Sequence, residues 1–142
     1  MAGYSPSPLS KKLGYSELGP VWCEGLPDTI KSEIEQQAKP DWSSNPDQKV
    51  QAAHLFVTRR AQLADYLKTA RRELRDDAMV WISWPKKSSN MSSEVTEDTV
   101  RELALPLGFV DIKVCAVDET WSGLKLVVRK ALRKPNRESR HG

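Results

Sequence analysis

Three short strings carry the side chains that could do chemistry: Thr58-Arg59-Arg60, Trp84-Pro85-Lys86-Lys87 and Asp118-Glu119-Thr120-Trp121-Ser122. Arginine grips phosphate or carboxylate with two parallel N–H donors, while lysine adds a point charge. The four cations Arg59, Arg60, Lys86 and Lys87 therefore point to an anion. Trp84 and Trp121 could stack on a base or another ring. Asp118 and Glu119 could orient the cations or act as acid and base, and Ser122 offers a hydroxyl. His54 lies in an apolar run and His141 near the carboxyl end, so no histidine is expected beside that serine. The bland alternative is structural, with acids neutralising bases across a rim and the tryptophans plugging the core.

Composition narrows what can hold these strings. A chain of 142 residues, 39% hydrophobic and 29% charged, suits one soluble globular domain. No apolar run is long enough for a membrane helix, and "MAGYSPSPLSKK" lacks the core of a signal peptide, which makes cytoplasmic residence the expectation. Cys23 and Cys115 each sit in an apolar run and read as small buried hydrophobes rather than a disulfide. No Cys/His spacing resembles a zinc site, so no metal is expected. The net charge of +3 is unevenly placed: residues 129–142 hold six Arg/Lys against one acid, +5, leaving 16 against 18, −2, elsewhere. That end is expected to be a solvated, disordered tail able to touch nucleic acid or an acidic partner.

The elements that must position the strings can be read in order. Ser7-Pro8 opens a short helix carrying Leu9 and Leu13 and closed by Gly14, so residues 1–18 form an arm on a domain spanning 1–128. "GPVWCEG" is a first strand, and Pro27-Asp28 starts a helix with Ile30 and Ile34 one turn apart. Residues 39–50, with two prolines, hold at best an eroded strand at a sheet edge. "AAHLFV" is a third strand, and Thr58 starts a helix striped by Leu63, Leu67, Ala70 and Leu74. "AMVWISW" is apolar at nearly every position, as a parallel strand covered on both faces would be. Trp84-Pro85 is expected to turn the chain out of the sheet. A helix from Thr96 through Leu107, closed by Gly108, precedes alternating runs at 110–116 and 124–128 that form a hairpin.

This order predicts an α/β fold: a three-layer sandwich with a mainly parallel sheet and a C-terminal antiparallel hairpin strand. The ending, with Leu107-Gly108-Phe109 leading into the hairpin, resembles the C-terminal half of the class I methyltransferase fold over roughly residues 18–130. That resemblance implies a Rossmann-like sheet of strand order 2-1-3-4-6-5. The strings "GYSPSPLSKKLGY" (3–15), "FVTRR" (56–60), "WPKK" (84–87), "VTED" (95–98) and "VCAVDETWSGLKLVVR" (114–129) are similar to an uncharacterised bacterial family of about this length. This second resemblance implies a fold and no activity.

A methyltransferase needs a glycine-rich turn after its first strand so that the backbone can approach the cofactor. Here the turn is "CEGLPD", and no two glycines of the chain lie two residues apart. S-adenosylmethionine is therefore not expected to bind in the usual mode, and no other cofactor is predicted. Ligands of parallel sheets gather at the carboxyl ends of the strands, where all three strings fall. Neighbouring strands lie ~4.8 Å apart, which would bring Arg59 and Arg60 within reach of an anion held by Lys86 and Lys87. The expectation is a binding or regulatory module for an anionic ligand or partner rather than an enzyme. Its rivals are a small-molecule transferase or hydrolase using Asp118 or Glu119, and a nucleic-acid binder using the rim and the basic tail.

Overall fold

The computed structural model describes residues 8–134. The elements run α1 (Leu9–Leu13), β1 (Pro20–Glu24), α2 (Asp28–Gln37), β2 (Asp41–Ser43), β3 (Ala52–Phe56), α3 (Arg60–Glu73), β4 (Met79–Pro85), α4 (Glu97–Ala104), β5 (Phe109–Ala116) and β6 (Trp121–Val128), with 3-10 turns at Leu105–Leu107 and Lys130–Leu132. The strands form one sheet of order β2-β1-β3-β4-β6-β5. The first four pair in parallel, and β6 inserts antiparallel between β4 and β5.

Alternation along the strands divides the apolar residues between two faces. Trp22, Ala53, Leu55, Val80, Ile82, Trp84, Leu124 and Leu126 pack under α3 and α4, which contribute Leu63, Leu67, Ala70, Val100 and Ala104. The opposite face carries Val21, Ala52, Phe56, Trp81 and Trp121 beneath Leu9, Leu13, Ile30 and Ile34 of α1 and α2. β4 is covered on both sides, so its run of apolar residues is buried from Val80 through Pro85.

Local chemistry sets the element ends. Gly14 takes a left-handed φ of 74° at the close of α1. Ser7, the expected cap, lies outside the described residues, and Pro8 occupies the N-cap position. α3 begins at Arg60 rather than Thr58, with an extended Arg59 before it. Thr96 caps α4 through a reciprocal pair of hydrogen bonds with Thr99. α4 stops at Ala104 instead of running to Leu107, because Pro106 has no N–H to continue the ladder; a 3-10 turn closed by Gly108 at φ 101° completes the segment. The eroded stretch does supply β2, three residues long, at the sheet edge beside β1.

Two expectations are corrected here. The chain does not leave the sheet at Trp84-Pro85: Pro85 still pairs with Trp121, the Lys86 N–H donates to the Thr120 carbonyl at 2.7 Å, and the turn follows Lys86. Pro85 is tolerated because its missing N–H would face β3, which has already ended at Phe56. Residues 129–134 are folded rather than a loose tail. The Arg129 N–H donates to the Gly108 carbonyl at 2.9 Å, Arg133 Nε to the Val128 carbonyl at 2.8 Å and the Lys134 N–H to Asp76 Oδ2 at 2.7 Å. The rest of the predicted tail, 135–142, lies outside the described residues.

The arm is fastened to the sheet by a specific bond as well as by its leucines. Trp81, fully buried, donates its indole N–H to the Leu13 carbonyl at 2.8 Å. Trp81→Phe keeps most of the apolar bulk but leaves that carbonyl unpaired. Urea unfolding should show a loss of about 1–3 kcal/mol, whereas a loss within error would show that the bond does not fix the arm.

Candidate functional site

The rim at the carboxyl ends of β1, β3 and β4 is assembled by loops that fold over it in different ways. After β4, residues 86–96 cross back toward β3, where the Glu94 N–H donates to the Thr58 carbonyl at 2.8 Å. Glu94 Oε1 also accepts the Arg60 N–H at 2.9 Å, so a carboxylate sits on the first turn of α3. The Arg60 guanidinium turns away to Glu102 of α4 at 2.6 Å, and the hydrogen bond from Arg60 holds that carboxyl below its usual range. Arg59 is exposed beside it.

Lys86 and Lys87 stand elsewhere on the same edge. With Trp84, Pro85 and Ser122 they line a shallow groove of about 450 Å³ that Val95, Thr96, Glu97 and Asp98 also line. Neither lysine has a carboxylate within 4 Å among the described residues, in contrast to Arg60, Arg71, Arg72, Arg75 and Arg101. Glu97 is engaged by Arg101 at 2.5 Å, while Asp98 is almost wholly exposed and 3.8 Å from the same arginine. The groove thus combines two lysines, unpaired among the described residues, with two acids and an edge of the mostly buried Trp84.

The expected single pocket is therefore corrected on four points. Arg59 and Arg60 do not line the groove with Lys86 and Lys87, and the Arg60 guanidinium is held by Glu102 of α4. Trp84 and Trp121 cannot wall one ligand: Trp84 packs on the α3/α4 face, and Trp121, one register position away, packs on the other against Phe56 with ring centroids 5.1 Å apart. Asp118 is spent on the β5–β6 turn, where Oδ1 accepts the N–H groups of Thr120 and Trp121 at 2.8 and 2.7 Å. Glu119 is exposed at that turn and outside the groove, which only Ser122 of the third string reaches. The rim and the 129–134 segment also fail to make one surface. β6 runs against β4, so Val128 ends beside the start of β4, ~20 Å from Pro85 along the strand.

A second polar cluster escaped sequence reasoning. His54 on β3 is fully buried and is hydrogen bonded at 2.7 Å to Tyr15 Oη through Nδ1 and at 2.7 Å to Ser83 Oγ through Nε2. Burial pushes His54 down to about 3, so the ring is neutral, and raises the Tyr15 phenol. Both ring nitrogens are satisfied, as a buried imidazole requires. The available signal was Ser83, a lone hydroxyl in an apolar strand two residues from Trp81 on the same face, diagonal to an equally isolated His54 on the neighbouring β3. The trio has the composition of a relay without an opening to solvent, and its chemistry is structural.

Cys23 and Cys115 flank this face as free thiols, four strand intervals or ~19 Å apart, too far to bond. Burial pushes the Cys23 thiol up to about 12. Among the described residues, no three His, Cys, Asp or Glu side chains gather as metal ligands would, and no helix is long and apolar enough to cross a membrane.

The turn after β1 is Gly25-Leu26-Pro27. Gly25 has φ 70°, and a Cβ there would lie 2.9 Å from the Phe56 carbonyl oxygen. Leu26 packs against the α1/α2 core, and α2 starts directly after Pro27, which has no N–H to offer.

With this geometry in hand, the class is that of the methyltransferase-like α/β folds. The chain superposes on a Sulfolobus solfataricus crystal structure assigned to the type 11 methyltransferases with a TM-score of 0.54 at 14% identity, covering 84% of this chain and 76% of that one. An S-adenosylmethionine-dependent methyltransferase from Clostridium acetobutylicum gives 0.49 at 8% identity over 78% and 75%. At such identities the likeness concerns the fold. The chain belongs to the family described as protein of unknown function (DUF3052), whose model matches residues 15–130. No curated protein matches the sequence.

Proposed function

We propose that the protein is a non-catalytic binding module on a methyltransferase-like scaffold, holding an anionic ligand in the groove between the β4–α4 loop and β6. The observation that carries this reading is the pair Lys86 and Lys87, which line the groove without a carboxylate within 4 Å among the described residues, while Arg60 and Arg101 are paired with Glu102 and Glu97. A phosphate or carboxylate group would sit at the lysines beside the Ser122 hydroxyl. Glu97 and Asp98 of the groove favour a ligand whose far end carries hydroxyl or amino groups. Trp84 is mostly buried in the core and contributes an edge rather than an open stacking face.

The same reading leaves S-adenosylmethionine out. The three residues after β1 offer one glycine, already pressed on Phe56, and a proline without a donor, so the chain does not fit the usual cofactor cradle.

Thermal unfolding against a panel of phosphorylated and carboxylated metabolites tests both statements. A ligand at about 100 times its Kd should stabilise by about 2.7 kcal/mol, or several degrees in Tm. Lys86→Ala/Lys87→Ala should abolish that shift while leaving the unliganded Tm within about 2 °C, because both side chains are outside the core. A hit retained in the double variant would move the site elsewhere, and stabilisation by S-adenosylmethionine would overturn the exclusion.

A further inference from the structure

The edge of the sheet opposite the groove carries a second concentration of charge. Residues 129–134, RKALRK, hold four cations and no acid. They fold into the 3-10 turn Lys130–Leu132, docked under the carboxyl end of α3 and the Leu105–Leu107 turn. Leu132 lies over Gly108, its Cδ1 2.7 Å from where a Cβ would stand, and so fixes which way the turn faces.

Arg133 is held by its Nε on the Val128 carbonyl at 2.8 Å, and its two Nη groups meet no protein acceptor among the described residues. A guanidinium anchored through Nε with its outer pair unengaged is a pre-organised fork for phosphate. Arg129, Lys130 and Lys134 are exposed and have no carboxylate within 4 Å among the described residues. The nearby acids are already used. Asp76 is shared between Arg71 and the Lys134 N–H, Glu73 pairs with Arg72, and Asp77 with Arg75. The ordered turn therefore presents excess positive charge.

We propose that this turn is a docking surface for the phosphate backbone of a nucleic acid, separate from the groove at the rim. No tryptophan, tyrosine or phenylalanine lies within residues 129–134, so the turn offers no stacking platform and contact would be electrostatic and indifferent to sequence. That predicts a salt dependence set by the number of cations. Arg129, Lys130, Arg133 and Lys134 at about 0.9 counterions each give a log–log slope near −3.6, roughly a 10²-fold loss of affinity between 50 and 200 mM salt.

Fluorescence anisotropy of the full chain with a labelled 20-base-pair DNA duplex reads this directly. Arg129→Ala/Lys130→Ala/Lys134→Ala should flatten the slope by about 2.7 without moving Tm, since none of the three side chains is buried. Lys31→Ala/Lys39→Ala, which removes charge from the α2 side, should leave it unchanged. Absence of duplex binding at 50 mM salt, or a slope unaltered by the triple variant, would overturn the proposal. So would tighter binding of poly-glutamate than of the duplex, which would assign the surface to an acidic protein.

Discussion

Lowering the pH from 7 to 4 is expected to destabilise the protein by about 3 kcal/mol through His54 alone. Its folded value of about 3 stands below the ordinary 6.5, so the unfolded chain binds a proton that the folded one refuses. Stability is therefore fully present above pH 6.5 and drains as the pH falls toward 3, at up to about 1.4 kcal/mol per unit. The cause is geometric. The ring is sealed between Tyr15 and Ser83 under α1, stacked on Phe56 at 4.3 Å, with no carboxylate beside it to offset a charge. Glu102 and Asp111, held low by Arg60 and Arg101, lose their contribution as the pH falls below about 4, so their window overlaps only the lowest part.

Urea unfolding at half-unit steps separates the two sources. His54→Gln keeps an amide for Tyr15 and Ser83 while removing the titration. It should cost about 1–3 kcal/mol at pH 7 and show a nearly flat profile from pH 6.5 to 4.5. Parallel profiles for the variant and the natural chain would mean that His54 is not the acid-sensitive group.

The second large effect is expected at Gly25. Its φ of 70° would cost a side chain about 1–2 kcal/mol, and an added Cβ would stand 2.9 Å from the Phe56 carbonyl oxygen, a backbone atom that can yield only if β3 moves. Gly25→Ala should lower stability by roughly 3 kcal/mol, on the order of 10 °C in Tm. Gly14→Ala is the matched control. Its φ of 74° is nearly the same, but the nearest atom to its Cβ would be the Lys11 carbonyl oxygen at 3.9 Å, so only the conformational penalty of about 1 kcal/mol applies. Equal losses at the two sites would show that β1 does not press on β3 at that turn. The comparison bears on the turn itself, because Gly25 is where β1 comes closest to the end of β3.

Element type was legible because it depends on local pattern: the continuous apolar run of β4, the alternation of β5 and β6, and the Thr96 and Gly14 caps each carry their own signal, whereas the sheet order was implied by the resemblance to the class I methyltransferase fold. Even β2, in a stretch with Pro40 just before it and Pro46 after it, was expected at the edge, where proline costs little. The rim was legible only as a neighbourhood. Charges near one another on a sheet edge choose partners by side-chain reach, and Glu102, 42 residues from Arg60, took its guanidinium.

By itself, the sequence determined the α/β sandwich, the C-terminal hairpin, the lack of a glycine-rich turn and the identity of the rim strings. Each follows from residues within a turn or strand of one another. Only the tertiary structure decided that Trp84 and Trp121 face opposite layers, that Asp118 closes a turn, that His54 meets Tyr15 and Ser83, and that 129–134 folds onto α3. Those outcomes depend on register and on which distant polar groups meet once water is excluded, quantities that no window of neighbouring residues contains.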